Sequence, residues 1–139
     1  DGNNSDLAVD RIWLAVYTIY GIFMLTIEFY PDGSRGPVQE YFDHLRGRGD
    51  RRKGLARLLS DLDTLAQEGL LSSRISVRSL GQWLWELRRA YQGVSYRILF
   101  CVHRQGAWML HAFEKATKKT PLRDWELARS RMANIVQGR

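Results

Sequence analysis

The segment from Trp83 to Pro121 constrains the fold most, because three apolar runs typical of β-strands follow one another there across short breaks. The runs are Trp83–Arg89, Ser95–His103 and Ala107–Glu114. The pairs Gln92-Gly93 and Gln105-Gly106 separate them, and short glycine-containing connections are typical of β-hairpins. The sequence therefore predicts three consecutive antiparallel strands.

Basic side chains lie inside these predicted strands, where Val, Ile and aromatic residues are the usual occupants. Residues 85–119 contain seven Lys or Arg and only two acidic residues. Arg88 and Arg97 fall within the apolar runs themselves, so their presence requires a reason. Binding of a polyanion is the leading one.

Outside this block, the pattern of apolar residues predicts one strand and three helices. Leu25–Tyr30 alternates apolar and polar side chains, as a half-buried strand does. Pro37 is predicted to begin a short helix, and a stripe of leucines predicts a second helix over Asp50–Glu68. Leu70–Gln82 is predicted to be a loop, and Pro121–Val136 a final helix. The predicted class is α+β, a compact antiparallel sheet with two N-terminal helices packed on one face and a C-terminal helix.

Length and charge predict a single globular domain that binds a polyanion. The 139 residues suit one core, and 45% hydrophobic with 26% charged residues excludes wholesale disorder. The first 44 residues carry two basic and seven acidic residues, whereas residues 45–139 carry nineteen basic and eight acidic residues. A basic body of this kind is typical of a protein with a polyanionic partner.

Several classes of protein and site are not predicted. The single Cys101 excludes an intrachain disulfide and suits a reducing cytosol. The uncharged run Trp13–Ile27 is short for a membrane span and lacks the basic flank of a signal peptide, so a soluble cytoplasmic protein without membrane contact is predicted. The three His and one Cys lack zinc-ligand spacing, and no nucleotide-binding glycine pattern is present, so neither metal nor cofactor is predicted.

Three motifs resemble the phage-derived branch of the HigB-type toxins within the RelE/ParE superfamily. They are WELR at Trp85–Arg88, YRILF at Tyr96–Phe100 and LHAFEKATKKTP at Leu110–Pro121. The resemblance implies a RelE-like fold and the toxin of a type II toxin–antitoxin system. It further implies cleavage of mRNA on the ribosome, which inhibits translation, and neutralisation by a separate helix-turn-helix antitoxin.

The resemblance runs roughly from Leu25 to Val136, so residues 24–139 are assigned to a toxin domain and residues 1–23 to an N-terminal extension. The extension contains a helical apolar stripe, although its β-branched and aromatic residues also permit a strand. Because the segment is strongly apolar, we predict that it packs on the domain or on a second copy, which makes a homodimer one expected form.

Arg88, Arg97 and His111 are the predicted catalytic residues, together with Lys115. RNA is cleaved without metal when its 2′-hydroxyl attacks the adjacent phosphate, and the fork of Arg suits the charge that develops there. The resemblance implies that Arg97 is the functional Arg of the YR motif and that Arg88 replaces a catalytic lysine. Glu86 is interpreted either as a base or, preferably, as a partner of Arg88. His111 is either a proton-transfer group or a hydrogen-bonded core residue.

A second set of basic residues is predicted to contact RNA; it comprises Lys118, Lys119, Arg89, Arg51, Arg52 and Lys53. The family usually has two adjacent lysines where this chain has Lys115-Ala116, so Lys118 is expected to substitute. Residues 46–57 hold six cations that suit either ribosomal RNA or an acidic antitoxin segment. Their position at a helix N-terminus opposes the macrodipole, which favours a binding role over simple solvation.

Two other functions are compatible with the same sequence. One is a ParE-like protein that inhibits DNA gyrase without catalysis, and the other is a non-enzymatic nucleic-acid-binding module. Trp83, Trp85 and Trp108 are compatible with base stacking, although burial in the core is favoured for most of them. The strand arginines and the lysine cluster favour RNA cleavage over both alternatives.

Overall fold

The computed structural model describes residues 24–115 and 119–138, which form five strands and three helices. In chain order these are β1 (Thr26–Phe29), α1 (Pro37–Arg46), α2 (Arg52–Glu68), β2 (Ser76–Gly81), β3 (Leu84–Tyr91), β4 (Val94–His103), β5 (Gly106–Glu114) and α3 (Leu122–Val136). The predicted extension of residues 1–23 and Lys118 lie outside the described residues.

The five strands form one sheet in the order β1-β5-β4-β3-β2, which confirms the predicted α+β class. Strands β3, β4 and β5 are antiparallel neighbours, as the hairpin pattern predicts, and β2 adds to them by antiparallel pairing with β3. β1 pairs with β5 in parallel, a feature that the predicted antiparallel sheet did not include. The prediction of a loop over Leu70–Gln82 was wrong for its second half, because Ser76–Gly81 forms the edge strand β2.

Two-residue turns join the four antiparallel strands. Both residues of each turn have positive φ: Gln82 and Trp83, Gln92 and Gly93, Arg104 and Gln105. This is the backbone that type I′ hairpin turns require, because their twist matches that of the strands. The turn predicted at Gln92-Gly93 is confirmed, whereas the last turn lies one residue earlier than predicted and Gly106 belongs to β5.

Helices α1 and α2 pack on one face of the sheet. Their buried side chains include Phe42, Leu45, Leu58 and Leu65, which meet the sheet residues Leu87, Ile98, Phe100 and Met109. The stripe of five leucines in α2 was predicted from its spacing. Leu59 is partly buried, and the other four are buried: Leu55, Leu58, Leu62 and Leu65. This layer forms the larger of the two cores.

Helix α3 packs on the opposite face and covers only part of it. Ala128, Met132 and Ile135 are buried as predicted, against Leu84, Leu99, Cys101 and Leu110. Leu122, which was predicted to face inward, is exposed at the start of the helix. The remaining part of this face, toward the β3–β4 turn, carries polar side chains instead of a second apolar layer.

None of the helices in residues 24–115 and 119–138 has the length and apolar character needed to cross a membrane. Most of the uncharged run Trp13–Ile27 lies outside these residues.

Candidate nucleic-acid and catalytic site

Two adjacent rows of residues cross the sheet on the face that α3 partly covers. One row runs through Arg78, Glu86, Leu99 and His111, and the next through Ser76, Arg88, Arg97 and Phe113. Directly paired residues on neighbouring strands project from the same side of a sheet. The register therefore brings the predicted catalytic residues Arg88, Arg97 and His111 to one surface, which we call the arginine face.

A β-bulge explains why His111 belongs to this face. Leu99 pairs with His111 while Phe100 pairs with Met109, so Leu110 is the extra residue on β5. Strict alternation from Met109 would have turned His111 toward α1 and α2. Bulges shift side chains in this way and are frequent beside active sites.

Glu86 lies at the centre of the arginine face and is completely buried. Its Oε1 accepts a hydrogen bond from Arg78 Nε at 2.9 Å, and its Oε2 accepts one from the Thr120 hydroxyl at 2.6 Å. Arg97 Nη1 lies 3.7 Å from Oε2. A buried carboxylate is stable only when it is paired and hydrogen-bonded, and these three residues supply that. The partner expected from the sequence, Arg88, is replaced by Arg78 and Arg97.

The three arginines of this face differ in depth. Arg97 is only 2% exposed, Arg78 keeps 48% of its side-chain surface in water, and Arg88 is exposed. Burial lowers the pKa of Arg97, and the neighbouring Glu86 acts in the opposite direction. A guanidinium remains charged at neutral pH. Three arginines against one carboxylate thus leave a net positive surface, with Arg88 and Arg78 at its rim and Arg97 at its floor.

His111 is held between two side chains. Its Nε2 lies 2.7 Å from Asp124 Oδ1 in the first turn of α3, and its ring stacks on Phe113 with centroids 5.2 Å apart. Phe113 is the direct cross-strand partner of Arg97. The imidazole of His111, the carboxylate of Asp124 and the guanidinium of Arg97 therefore lie on the same face, near the start of α3. Such an arrangement is suited to proton transfer next to an anion.

Sequence reasoning missed Arg78, Thr120 and Asp124. Arg78 lies in the segment predicted to be a loop, so no sequence pattern indicated that it would lie on a strand beside Glu86. Asp124 is an acidic residue in the first turn of a helix, a placement that the helix dipole alone explains. Only packing shows that these residues join the predicted ones.

The lysine segment follows β5. The Lys115 backbone N–H donates to Ser95 O at 3.0 Å, which continues the β4–β5 ladder beyond Glu114. Lys119 is exposed and directly precedes Thr120, which bonds to Glu86. The segment thus begins and ends beside the arginine face, although Lys118 itself is not described.

The other predicted RNA contacts lie on the α1–α2 side of the sheet. Arg89 forms a two-pronged ion pair with Asp61, and Arg51 donates to Glu114 through Nε at 2.9 Å. Arg52 Nε donates to the backbone oxygen of Arg46 at 2.9 Å, and Lys53 is exposed. The sheet separates this group from Arg88 and Arg97. Its contact with RNA remains a prediction.

The tryptophans also divide between core and surface. Trp85 and Trp108 are partly buried in the two cores, as was favoured for most of them. Trp83 is exposed in the β2–β3 turn, far along the sheet from the arginine pair. Within the described residues, no group of three His, Cys, Asp or Glu side chains is placed to hold a metal ion.

Residues 50–133 match the sequence model of a family described as phage derived protein Gp49-like (DUF891). The match spans more than half of the 139-residue chain and includes β2 to β5 and both rows of the arginine face. No curated protein and no solved structure matches the chain at a significant level.

Proposed function

This chain belongs to the phage-derived Gp49-like family (DUF891), and from this we propose that it is the toxin of a type II toxin–antitoxin system. The family is associated with toxins of the RelE and HigB kind, and the α+β fold is consistent with a RelE-like architecture. The proposed activity is cleavage of mRNA on the ribosome, which stops translation.

The observation that carries this proposal is the side-by-side placement of Arg88 and Arg97, one row from His111. An RNA phosphodiester that docks on the arginine face meets the exposed Arg88 first, while the buried Arg97 acts from below. Preorganised cations in a site with little water stabilise developing negative charge far better than solvated ones do.

The proposed reaction uses the RNA's own 2′-hydroxyl. The 2′-oxygen forms a bond to phosphorus and the bond from phosphorus to the 5′-oxygen breaks, which leaves a 2′,3′-cyclic phosphate and a 5′-hydroxyl end. His111 takes the proton from the 2′-hydroxyl, and the Lys115 ammonium supplies one to the leaving oxygen. Arg88 and Arg97 stabilise the phosphorane between these steps.

The proposed partners follow from charge. Ribosome-bound mRNA is the substrate, so the protein acts in the cytoplasm. The exposed cations around the start of α2 suit ribosomal RNA or an acidic segment of a helix-turn-helix antitoxin. Asp50 pairs with Arg48 and Arg51 just before α2, but the first turn of the helix itself contains no acidic side chain beside the exposed Arg52 and Lys53.

One observation favours a second candidate function. Because Arg97 is only 2% exposed, it is less accessible to a phosphate than a catalytic Arg usually is. Inhibition of DNA gyrase without catalysis, as in ParE-like proteins, does not require an accessible Arg97.

A translation extract with a defined message separates the two functions. We expect cuts within codons that depend on ribosomes, with cyclic phosphate ends upstream and 5′-hydroxyl ends downstream. Intact message together with blocked gyrase supercoiling would instead support the gyrase inhibitor.

Arginine variants test the site itself. Arg88→Ala should reduce the cleavage rate about a hundredfold, as the loss of a preorganised donor does. Arg97→Ala should reduce the cleavage rate at least as much. Arg97→Lys should restore the rate only in part, because lysine lacks the planar two-pronged guanidinium of arginine. Arg104→Ala is the matched control, since it removes an exposed Arg from the β4–β5 turn of the same sheet. Equal activity in all four variants would remove the arginine face from the mechanism.

A further inference from the structure

The hydrogen bond between His111 and Asp124 links the arginine face to the first turn of α3. The two side chains are 18% and 14% exposed, and the distance from Nε2 to Oδ1 is 2.7 Å. The ring also stacks on Phe113 at an interplanar angle of 22°. The Asp124 carboxylate holds one nitrogen of the imidazole, and the phenyl ring of Phe113 covers one face of it. Together they leave the imidazole little freedom to rotate.

We propose that Asp124 is a positioning residue that holds His111 in one tautomer and one orientation for proton transfer. This inference rests on the proposed RNA cleavage. An ionised carboxylate only accepts hydrogen bonds, so Nε2 must carry the hydrogen in this contact. In the neutral ring Nδ1 then has the lone pair, which makes Nδ1 the atom that takes the proton from the 2′-hydroxyl.

The register places this nitrogen near the phosphate-binding arginines. Arg97 pairs with Phe113, and His111 is two residues from Phe113 on the same strand. Diagonal neighbours of this kind lie about 7–8 Å apart across a sheet, which is close enough for their side chains to contact the same phosphodiester group. When Nδ1 accepts the proton, the ring becomes positive, and the adjacent Asp124 carboxylate stabilises that charge.

A purely structural role for the same bond is to fasten α3 to the sheet. The helix has another side-chain tie nearer its other end, where Asn134 Nδ2 donates to the Tyr30 hydroxyl at 2.9 Å. Tyr30→Phe removes that tie without contact with the arginine face. It is therefore a matched control for the loss of one hydrogen bond from α3.

Asp124→Asn tests the inference because asparagine keeps the size of the side chain but loses its charge. We expect the maximal cleavage rate to fall at least tenfold, while the ribosome concentration at half-maximal rate changes less than twofold. Asp124→Glu keeps the carboxylate and should retain more activity than Asp124→Asn. Tyr30→Phe should cleave at the wild-type rate even if it lowers stability.

Nitrogen-15 NMR of the His111 ring supplies a readout independent of activity. The wild-type ring should show the Nε2-protonated tautomer, and Asp124→Asn should show a mixture of both tautomers. Two results would overturn the positioning role alone. One is an Asp124→Asn variant that cleaves at the wild-type rate, and the other is an equal loss of cleavage rate in Asp124→Asn and Tyr30→Phe. A wild-type protein that cuts no message would overturn the proposed function, and the positioning role with it.

Discussion

Arg89→Ala should destabilise the fold rather than weaken RNA binding, although the sequence predicts Arg89 to contact RNA. Its guanidinium donates to both carboxylate oxygens of Asp61, at 2.8 Å from Nε and 2.5 Å from Nη2. This hydrogen bonding raises the pKa of Arg89. Asp61 is buried in α2 and joins that helix to β3 across the main core.

The size of the effect follows from the burial of Asp61. Removing one partner of a buried ion pair costs about 3–5 kcal/mol, because the remaining charge loses its compensation. Arg89 keeps 33% of its side-chain surface in water, so solvent weakens the pair and we expect about 3 kcal/mol. Single domains have a free energy of unfolding of about 5–15 kcal/mol. The loss of about 3 kcal/mol is thus a large share of the total, and it should lower the melting temperature by about 10 °C.

Urea unfolding followed by circular dichroism measures this change. Arg89→Ala and Asp61→Ala should each lower the midpoint, and the double variant should lose less than their sum because no unpaired charge remains. Lys53→Ala, an exposed cation on the same helix, should stay within about 0.5 kcal/mol of wild type. An unchanged midpoint in Arg89→Ala, with weaker binding to ribosomes, would refute this reasoning and support the RNA contact.

Three further variants or probes test the packing around the site. Glu86→Ala should cost about 3–5 kcal/mol in urea unfolding, because it leaves Arg97 buried without its carboxylate; an unchanged midpoint would contradict this. Gly54→Ala would place a Cβ 2.3 Å from the Tyr96 hydroxyl, so overpacking of about 1–3 kcal/mol should exceed the usual helix gain of about 1 kcal/mol. A higher melting temperature would show that Tyr96 moves freely. Burial raises the pKa of the Cys101 thiol to about 12, so at pH 8 a thiol reagent should react only as the protein unfolds. Rapid reaction of the native protein would contradict the buried placement.

Local sequence patterns determined most of the elements. The glycine at Gln92-Gly93 and the flanking alternation were enough to predict the β3–β4 hairpin, because turn chemistry and a period of two residues are local properties. The leucine stripe of α2 and the apolar stripe of α3 are equally local, and both helices pack as their periodicity indicates. The motif residues Arg88 and Arg97 were found because arginine is unusual inside an apolar strand.

Pairing between distant segments decided what these patterns left open. β2 has few apolar residues because most of its side chains are exposed at the edge of the sheet, so its sequence resembles a loop. The parallel contact of β1 with β5 joins strands about eighty residues apart, and nothing in Thr26–Phe29 specifies the direction of its partner.

The candidate site depended on tertiary structure in the same way. The alternation of side chains along β3 predicts that Arg88 and Arg89 lie on opposite faces of the sheet. Only the packing of α1 and α2 shows which face each one takes: Arg89 contacts Asp61, and Arg88 lies on the face that these helices leave open. The bulge at Leu110 moves His111 to the arginine face, against the alternation of its strand. Arg78, Thr120 and Asp124 reach the site from elements separated by tens of residues. A hydrogen bond between such elements depends on how whole helices and sheets pack, and no local pattern in the chain encodes it.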